Sequence, residues 1–500
     1  MQLKLVIWDL DDTLWRGALA DGDDVVPDQR RAELVRAFNA KGVVSSICSN
    51  NDPAAARARL EALGLWDQFV FPRIAFAPKP EAIRAIIDDM QLRPANVLFV
   101  DDNPHNLAGA RHLLPDLHVL DARAADADDT LAALLAGLPA NGRSRLAEYR
   151  QLEAKAADRA AGGGSNEDFL HACNIQATAP FLMDNLDFVE RIAELVNRAN
   201  QLNYTGTRFE PAALTTAIVD VVAHDSWSIF AWDRYGDYGL VGFVQVDRKA
   251  KRLIHFAFSC RIMHMGIEQY ALARVLEKWP DCDLSVLAGR VAATPAPWVH
   301  DQSFHEPAVR ERLIARLNPA AAGPRDVRVM FDCQSGGIAH FSAHRDRIDF
   351  DNAPRLFALR HVIPNSGEDL RLAPRMVYGA GIDYSDPRWP ELADLIDDGL
   401  YEACADLLCA HVNDNGARLL VLLPVEDAAE ERYRPHMGHT RDRTIRFNRV
   451  WRALAARHPG IDLFDMTGFA RADDMTDVSH YHARFLRRLA GEVDRWLAAA

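Results

Sequence analysis

The stretch LKLVIWDLDDTLW, residues 3–15, places an apolar run directly before two aspartates that are two positions apart. Residues 3–8 are typical of a buried strand, so Asp9 and Asp11 follow the carboxyl end of that strand. Open α/β sheets bind ligands at this edge. One carboxylate there can attack phosphorus while the other handles the proton of the leaving group. The stretch therefore predicts a phosphoryl-transfer site built on these two carboxylates.

Three further polar motifs follow along the chain, two of them at predicted strand ends. The run VVSSIC leads into Ser49, whose hydroxyl can hold phosphate oxygens, and Lys79 in APKPEAI supplies a point positive charge. The run VLFV leads into Asp101 and Asp102, which together with Asp9 offer the hard oxygen ligands that Mg²⁺ prefers. The four motifs together predict a magnesium-dependent centre.

This ordered set resembles the haloacid dehalogenase (HAD) superfamily, whose pattern is DxDxT, a Ser or Thr, a Lys and an acidic pair. The resemblance implies that Asp9 is the nucleophile, that Asp11 is the acid and base, and that Ser49 and Lys79 hold the phosphate. It implies a metal site formed by Asp9, Asp11 through its carbonyl group, Asp101 and Asp102. The interval between the first two motifs is too short for a bulky cap domain, which suits a large substrate or one covered by another domain.

The amino-acid composition and net charge exclude several classes of function. The formal charge of −14 argues against a nucleic-acid groove and a polybasic membrane patch. No apolar run is long enough to span a membrane, and no secretory signal is evident. Seven dispersed cysteines without zinc spacing indicate free thiols in a reducing compartment. We therefore expect a cytoplasmic enzyme without nucleic-acid or membrane partners.

The chain divides into three consecutive αβ units. Residues 1–135 alternate apolar strands with helical stretches, which predicts a Rossmann-like α/β domain with a parallel sheet. Residues 136–168 are expected to be a helical linker ending in three glycines. Residues 169–315 predict a smaller α+β domain, and residues 327–500 predict a second α/β domain after a linker.

The residues within and around the four motifs resemble one particular branch of the superfamily. DLDDTLWRG, ICSNND, PKPEAI and FVDDNPHN resemble the FkbH-like branch of the HAD superfamily, subfamily IIIC, in which a GNAT-like acyltransferase domain follows. LVNRANQLNYTGTRF (195–209), GLVGFVQVD and IHFAFSCRIMHMGIEQYAL (254–272) resemble that second domain. The resemblance implies that a glyceryl group from 1,3-bisphosphoglycerate, a phosphorylated small-molecule donor, is loaded onto the thiol of an acyl carrier protein while phosphate is discarded.

Two roles remain open for Cys48, the thiol adjacent to Ser49. A thiolate can accept an acyl group as a thioester if a lysine or a helix N-terminus lowers its pKa. Alternatively, Cys48 is a small apolar residue at a strand end, since free cysteines are usually buried.

The turn before the helix IEQYALARVLEKW is a candidate cofactor site. Cys260, Arg261 and Gly266 are expected to present backbone N–H groups to the phosphopantetheine of a carrier protein. His264 and Met265 replace a glycine and an arginine of the family's CRxxGRG turn, and their side chains hinder a diphosphate. A structural or carrier-docking role is the alternative. Three polar residues precede this turn in the chain, namely Asn200, Gln201 and Asn203. They either line the cleft between domains or cap the end of a helix.

The last unit resembles an SGNH-type hydrolase. A strand leads to Ser335, and Asp477 and His480 precede the final helix, which is the order of nucleophile, orienting carboxylate and general base in that family. Cys333 and Asp332 compete with Ser335 for the nucleophile position, and Asp383 stands where the family has an asparagine. The unit is either an esterase or transferase that modifies a saccharide or another small acceptor, or a degenerate domain kept for packing or docking.

Overall fold

The computed structural model describes residues 2–19, 25–139, 143–161, 165–199, 201–317, 325–352, 372–383 and 397–499. Two compact units divide these residues. The first comprises residues 1–174 with the hairpin turn 232–238, and the second comprises residues 175–231 with 239–500. Among the residues that the structure describes, no helix is both long enough and apolar enough to cross a membrane.

The first unit contains a five-stranded parallel sheet in the order β5-β4-β1-β6-β7. Its sheet strands and a short hairpin (β2–β3) are β1 (Leu5–Trp8), β2 (Trp15–Arg16), β3 (Val26–Pro27), β4 (Val44–Ser49), β5 (Arg73–Ile74), β6 (Val97–Asp101) and β7 (His118–Asp121). The helices are α1 (Gln29–Ala40), α2 (Pro53–Ala62), α3 (Lys79–Asp89), α4 (Pro104–Leu113), α5 (Ala127–Ala136), α6 (Leu146–Ala161) and α7 (Asn166–Ala172).

The central strands of this sheet are buried on both faces. Val6 and Trp8 of β1 belong to one hydrophobic cluster, whereas Leu5 and Ile7 belong to another on the opposite face. Such continuous apolar strands are typical of parallel sheets that are covered by helices on both sides. The predicted Rossmann-like fold of this region is therefore confirmed, and the sheet brings the carboxyl ends of β1, β4 and β6 to one edge.

A second, mixed sheet has the order β11-β10-β9-β8-β12. Its strands are β8 (Ile175–Thr178), β9 (His224–Asp233), β10 (Gly236–Asp247), β11 (Arg252–Phe258) and β12 (Val299–Asp301). Strands β10 and β11 are antiparallel, whereas β8 and β12 are parallel. The helices of this region are α8 (Val189–Arg198), α9 (Pro211–Val219), α10 (Ile267–Lys278) and α11 (Pro307–Leu317).

A third sheet is wholly parallel, in the order β14-β13-β15-β16-β17. Its strands, with a following hairpin (β18–β19), are β13 (Val327–Met330), β14 (Ile348–Phe350), β15 (Arg375–Gly379), β16 (Arg418–Leu423), β17 (Ile461–Asp465), β18 (Met475–Asp477) and β19 (His480–Tyr481). The helices are α12 (Ser335–Phe341), α13 (Asp398–Asp414), α14 (Arg441–Arg457) and α15 (Ala483–Ala499).

The second and third sheets share one hydrophobic cluster within the second unit. Phe230 and Phe243 of the mixed sheet belong to the same cluster as Ile338 of α12 and Leu486 of α15. The two predicted domains after residue 169 therefore share a core. The triple glycine and most of the second predicted linker lie outside the described residues.

Candidate active site

Lys79 links the ends of two strands in the first unit. It is the first residue of α3, and its ammonium nitrogen lies 2.8 Å from Asp9 Oδ1 and 2.7 Å from Asp101 Oδ2. All three side chains are almost completely buried. Asp9 follows β1 directly and Asp101 ends β6, so neighbouring strands bring both carboxylates to the lysine. The structure thus assembles three of the predicted residues at the carboxyl edge of the sheet.

Burial and the neighbouring charges shift the pKa values of Asp9 and Lys79 in opposite directions. Burial raises the pKa of Asp9 to about 6, although the Lys79 ammonium opposes this shift. Burial alone would lower the pKa of Lys79, but the carboxylates of Asp9 and Asp101 outweigh it, so the pKa of Lys79 is raised. The lysine therefore stays a cation beside the nucleophile candidate.

The acidic residues fit a magnesium ion. Asp9, Asp101 and Asp102 each offer a carboxylate oxygen, and these oxygens lie within 4.8 Å of one another. The Asn103 N–H and the Asn106 side-chain amide donate to Asp101 Oδ1 at 2.8 and 3.0 Å and fix that carboxylate. Hard oxygen donors clustered in this way are the ligands that Mg²⁺ prefers.

Asp11 lies at the same edge, but its carboxylate is held by other groups. Trp15 Nε1 and the Leu19 N–H donate to Asp11 Oδ1 at 2.7 and 3.2 Å. Asn51 Nδ2 donates to Asp11 Oδ2 at 3.0 Å and also to Ser49 Oγ at 3.2 Å. Asn51 therefore links the acid–base candidate to the phosphate-holding candidate. The side chain of Asp11 is thus tied outside the carboxylate cluster.

Several contacts at this site were not anticipated from the sequence. The contacts of Trp15 and Asn106 described above are two of them. The third residue is Arg123, which forms an ion pair with Asp102 at 2.5 Å and approaches Asp12 at 3.5 Å. The DLDDTLW motif contains Trp15, but nothing in the spacing indicates that its indole N–H turns back to Asp11. Arg123 follows the next strand, β7, so only the sheet order brings it to the site.

The surroundings of Cys48 favour the packing role over the acyl-carrying role. It is buried in β4, and its thiol donates to the Lys79 carbonyl oxygen at 3.8 Å. Burial raises its pKa to about 12, despite the nearby Lys79 ammonium. Because the thiolate is the nucleophilic form, this environment does not fit a thioester carrier.

The turn before α10 does not fit phosphopantetheine. Gly266 caps the helix with φ +82°, and a Cβ there would lie 2.6 Å from Ala296 Cβ and 2.8 Å from Trp298 Nε1. These side chains therefore occupy the space next to the Gly266 Cα atom. Arg261 Nε donates to Ser259 Oγ at 3.1 Å. Neither contact supports the predicted cofactor role of this turn.

Two upstream polar residues and Cys260 are engaged locally. Cys260 Sγ donates to Gln201 Oε1 at 3.4 Å. Asn203 Nδ2 donates to the Thr207 carbonyl oxygen at 2.9 Å, and Asn203 Oδ1 accepts from the Gly206 N–H at 3.0 Å. Asn203 Nδ2 also donates to the Val196 carbonyl oxygen near the end of α8 at 3.4 Å, which is the contact expected of a helix-end role. Asn200 lies outside the described residues.

In the β18–β19 hairpin that follows the third sheet, Asp477 and His480 form the predicted pair. His480 Nδ1 lies 2.9 Å from both Asp477 carboxylate oxygens. Gln334 connects this turn to the end of β13, since its amide exchanges two 2.7 Å hydrogen bonds with the Tyr481 backbone. A cavity at the carboxyl edge of the sheet is lined by Phe331, Asp332, Gly379, Gly381, Pro424, Met466, Val478, Ser479 and Tyr481.

Ser335, the predicted nucleophile of this sheet, is occupied within its own turn. It is completely buried, and its hydroxyl donates to the Asp332 carbonyl oxygen at 2.9 Å and accepts from the Phe331 N–H at 2.5 Å. The hydroxyl closes the strand-to-helix turn, in which Asp332 has a φ of +49°. The Ser335 hydroxyl is thus engaged within its own turn, and its nucleophile role stays a prediction, as do those of the competing candidates Cys333 and Asp332. Asp383, where the family has an asparagine, is buried and accepts a hydrogen bond from Tyr401 at 3.1 Å.

The comparison with protein families finds a match within the first unit. Residues 18–113 match the haloacid dehalogenase-like hydrolase family, a range that holds Ser49, Lys79 and the acidic pair but begins after Asp9. No protein of curated function matches the chain.

Three bacterial proteins of known structure are among those similar to the chain. The N-terminal part of BF1531 from Bacteroides fragilis, which contains a phosphatase domain complexed with Mg, is 23% identical over 27% of this chain and 41% of that chain, with a TM-score of 0.25. An uncharacterized protein from Corynebacterium glutamicum is 26% identical over 28% of this chain and 98% of that one, with a TM-score of 0.21. The cobalt-bound deoxy-D-mannose-octulosonate 8-phosphate phosphatase from Haemophilus influenzae is 16% identical over 27% and 87%, with a TM-score of 0.22.

The family match and the geometry concern the same part of the molecule. Ser49, Lys79 and Asp101 fall inside the matched residues, and Asp9 contacts Lys79 directly. The N-terminal region of this chain therefore contains a domain of the haloacid dehalogenase-like hydrolase family, matched over residues 18–113.

Proposed function

We propose that the N-terminal domain is a Mg²⁺-dependent phosphatase that takes a phosphoryl group onto Asp9. The observation that carries the proposal is the buried Lys79 ammonium, which contacts Asp9 and Asp101 at 2.8 and 2.7 Å beside the carboxylate of Asp102. A cation fixed next to a nucleophilic carboxylate stabilises the charge that develops on a transferring phosphoryl group. An ordinary structural ion pair does not need a third carboxylate at the same edge.

The proposed reaction consists of two successive displacements at phosphorus. Asp9 attacks phosphorus, the bond to the leaving oxygen breaks, and Asp11 gives that oxygen a proton. Water then attacks the aspartyl phosphate and gives its proton to Asp11, which releases inorganic phosphate and restores Asp9. Asn51 and Trp15 orient the Asp11 carboxylate, while Ser49 and Lys79 bind the phosphoryl oxygens. Bound Mg²⁺, held by Asp9, Asp101 and Asp102, would supply the positive charge that neutralises those oxygens.

The donor that we propose is an acyl phosphate, 1,3-bisphosphoglycerate, as the FkbH-like resemblance implies. Attack by Asp9 on its acyl phosphate would release a free carboxylate, which cannot acylate a thiol. The two phosphates therefore have different fates: the thiol of an acyl carrier protein displaces the acyl phosphate, and Asp9 removes the remaining phosphate ester. The product is a glyceryl thioester on the carrier. The GNAT-like and SGNH-like regions are proposed to serve carrier docking or a later transfer.

The acceptor thiol belongs to the partner in this proposal. Cys48, the thiol nearest the centre in sequence, is buried with its pKa raised by burial to about 12. An external carrier thiol avoids that penalty, because it reaches the donor from solvent. The absence of room for a bulky cap between Asp12 and Ser49 suits a substrate carried on another protein.

Intact mass spectrometry tests the proposal. The full-length protein, Mg²⁺, enzymatically generated 1,3-bisphosphoglycerate and an acyl carrier protein should give a carrier that gains one glyceryl unit. Asp9→Asn should stop the reaction at the phosphoglyceryl carrier or abolish loading. Asp67→Asn, an exposed carboxylate of the same unit, is the matched control. Dephosphorylated carrier formed at the normal rate by Asp9→Asn would refute the role of Asp9, whereas phosphate release without carrier loading would refute only the transfer step.

A second candidate function concerns the third sheet. Val478 and Ser479, which lie between Asp477 and His480 in the chain, line a cavity at the carboxyl edge of that sheet, which favours an esterase or transferase acting on a saccharide or another small acceptor. Burial and the charges of Asp332 and Asp477 raise the pKa of Cys333 well above its usual range, so any attack by this thiol needs a base such as His480. His480→Ala should remove an esterase activity while Asp9-dependent phosphate release persists. Loss of both activities, or of neither, would argue against a separate site.

A further inference from the structure

A serine and a histidine lie together at the cavity on the carboxyl edge of the third sheet. Ser479 lines this cavity and is only partly buried, and its hydroxyl oxygen lies 3.2 Å from His439 Nδ1. A nucleophilic hydroxyl and the base that activates it have to lie within hydrogen-bond reach of each other. The Ser335 hydroxyl, in contrast, is engaged within its own turn. Ser479 therefore combines a histidine partner with access to the cavity.

The His439 ring is fixed in place and shielded from water. The residue is 0% exposed, and its backbone exchanges hydrogen bonds of 2.9 and 3.1 Å with the backbone of Arg434. The Tyr433 ring packs edge-on against the imidazole, with 6.3 Å between the ring centroids. Because the ring is already held beside the Ser479 hydroxyl, no rearrangement is needed to bring base and nucleophile together.

The imidazole of His439 is uncharged at neutral pH. Burial lowers its pKa to about 4; the Asp477 carboxylate opposes this shift, whereas the guanidinium groups of Arg434 and Arg443 add to it. A neutral imidazole has one ring nitrogen that accepts a hydrogen bond. In the tautomer that carries its proton on Nε2, Nδ1 accepts the hydrogen bond of the Ser479 hydroxyl. The Asp477 carboxylate stabilises the imidazolium that forms when Nδ1 takes the proton.

The turn that carries Ser479 is tied on both sides. The Ser479 N–H donates to Asp477 Oδ1 at 2.8 Å, and His480 Nδ1 lies 2.9 Å from both oxygens of that carboxylate. The Tyr481 N–H donates to the Gln334 side chain at 2.7 Å. The Asp477–His480 pair thus holds the backbone of the serine, while His439 contacts its hydroxyl.

The cavity favours a short, uncharged acyl group. Among the described residues that line it, Asp332 and Tyr481 are polar besides Ser479, and the Tyr481 hydroxyl donates to a backbone carbonyl group of the same turn at 3.0 Å. The Asp332 carboxylate repels an anionic acyl chain. A Cβ placed on Gly381 would lie 3.7 Å from Pro424 Cβ, which is an ordinary contact, so the wall there accepts a methyl-sized group.

We propose that Ser479 and His439 are the nucleophile and base of an acyl-transfer site that takes esters or thioesters of short uncharged acids. This inference rests on the second candidate function and assigns its nucleophile, its base and its class of acyl group. Ser479 Oγ attacks the acyl carbon and its proton passes to His439 Nδ1. The bond from that carbon to the leaving oxygen or sulfur breaks, and the leaving group takes the proton from His439. Water or an acceptor hydroxyl then attacks the acyl serine and gives its proton to His439, which returns it to Ser479 Oγ.

Covalent labelling of the full-length protein locates the nucleophile. An alkyl fluorophosphonate forms a bond between phosphorus and an activated serine oxygen and releases fluoride, and peptide mass spectrometry finds the modified residue. The label should be at Ser479. His439→Asn keeps an amide group near the hydroxyl but cannot take its proton, so labelling should slow by about a hundredfold or more. Ser342→Ala removes another serine hydroxyl of the same unit, one that is held by Asp494, and this matched control should leave the labelling rate unchanged.

Hydrolysis of p-nitrophenyl valerate, measured in parallel, separates the two proposals. Ser479→Ala changes only a partly buried hydroxyl and should abolish both labelling and hydrolysis, even if His439→Asn folds poorly. A label at Ser335, no label at all, or equal labelling of the wild type and a folded His439→Asn protein would overturn the pair. Hydrolysis without a label at Ser479 would refute the pair and leave the second candidate function standing. A label at Ser479 without hydrolysis would refute that function and leave the nucleophile and base assigned.

A charged ester tests the class of acyl group. In mono-p-nitrophenyl glutarate a carboxylate replaces the terminal methyl group of the valerate. Its kcat/KM, after subtraction of the uncatalysed rate, should be lower by about tenfold or more, because the chain carries a negative charge toward Asp332. Asp332→Asn should narrow this difference. Equal kcat/KM values for the two esters in the wild type would refute the proposed class.

Discussion

Replacing Lys79 by methionine should weaken the first unit and inactivate it. Methionine keeps most of the length of the side chain but removes the ammonium group that contacts Asp9 and Asp101 at 2.8 and 2.7 Å. Two buried carboxylates then face each other without a cation. The variant therefore tests whether this lysine is the electrostatic centre of the site.

The size of the stability loss follows from the burial of the Lys79 and Asp101 side chains. The Lys79 side chain is 4% exposed and that of Asp101 is 0% exposed, so solvent screens the pair very little. Removing one partner of a buried ion pair typically costs about 3–5 kcal/mol. For a unit of this size, that loss corresponds to a fall in the midpoint of thermal unfolding of roughly 10 °C.

The loss should depend on pH. Burial already raises the pKa of Asp9 to about 6, and loss of the Lys79 charge, which opposes this shift, raises it further. An aspartate whose folded pKa lies above its unfolded pKa contributes stability at low pH that is lost as the pH rises through the folded pKa. The variant should therefore be closer to the wild type at pH 5 than at pH 8 when Mg²⁺ is absent.

Thermal unfolding followed by circular dichroism at pH 5 and pH 8, with phosphate release measured in parallel, checks this prediction. Lys155→Met is the matched control, because Lys155 forms another buried pair in the same unit, with Asp233 at 2.9 Å. The control should lose stability but keep phosphatase activity. A Lys79→Met protein that unfolds at the wild-type midpoint at pH 8, or that releases phosphate at the wild-type rate, would refute the reasoning.

Three further predictions follow from other parts of the molecule. Cys48→Ala should keep both phosphate release and any carrier loading, which mass spectrometry of the carrier checks, because the buried thiol is a packing residue. Chelation of divalent cations should abolish phosphate release and added Mg²⁺ should restore it, as a phosphate assay would show, since carboxylates supply the proposed ligands. Burial raises the pKa of Asp184 to about 6, and Asn352 donates to it at 2.8 Å. Asp184→Asn should therefore match the wild type near pH 4 but be more stable at pH 8, by up to about 2–3 kcal/mol, in chemical unfolding of the second unit.

The catalytic strand ends were predictable because their signal is local. Apolar runs in β1 and β6, and the run of apolar and small residues VVSSIC in β4, identify buried parallel strands, and the polar residues at their ends have to share one edge. Lys79 was predictable for a related reason, as it begins the helix after the next strand. The contacts that orient these groups were not predictable. Arg123 reaches Asp102 only because β7 is the neighbour of β6 in the sheet.

The predicted sites outside the first unit show where sequence patterns fail. A serine after a strand resembles a nucleophile, yet whether its hydroxyl faces a ligand or closes its own turn depends on backbone geometry, and Ser335 does the latter. A glycine at the start of a helix resembles a cofactor cradle, yet Trp298, far along the chain, fills the space beside Gly266. In contrast, Asp477 and His480 are close in sequence, so their pairing was predictable.

Trapping of the phosphorylated enzyme shows whether Asp9 is the nucleophile. Asp11→Asn protein should form the aspartyl phosphate from p-nitrophenyl phosphate, whose leaving group needs no proton, but should hydrolyse it slowly. Acid quenching followed by borohydride reduction converts an aspartyl phosphate to homoserine, which peptide mass spectrometry locates. We expect homoserine at position 9 and none in the Asp9→Asn, Asp11→Asn double variant. Homoserine at another aspartate, or rapid turnover without any modification at position 9, would contradict it.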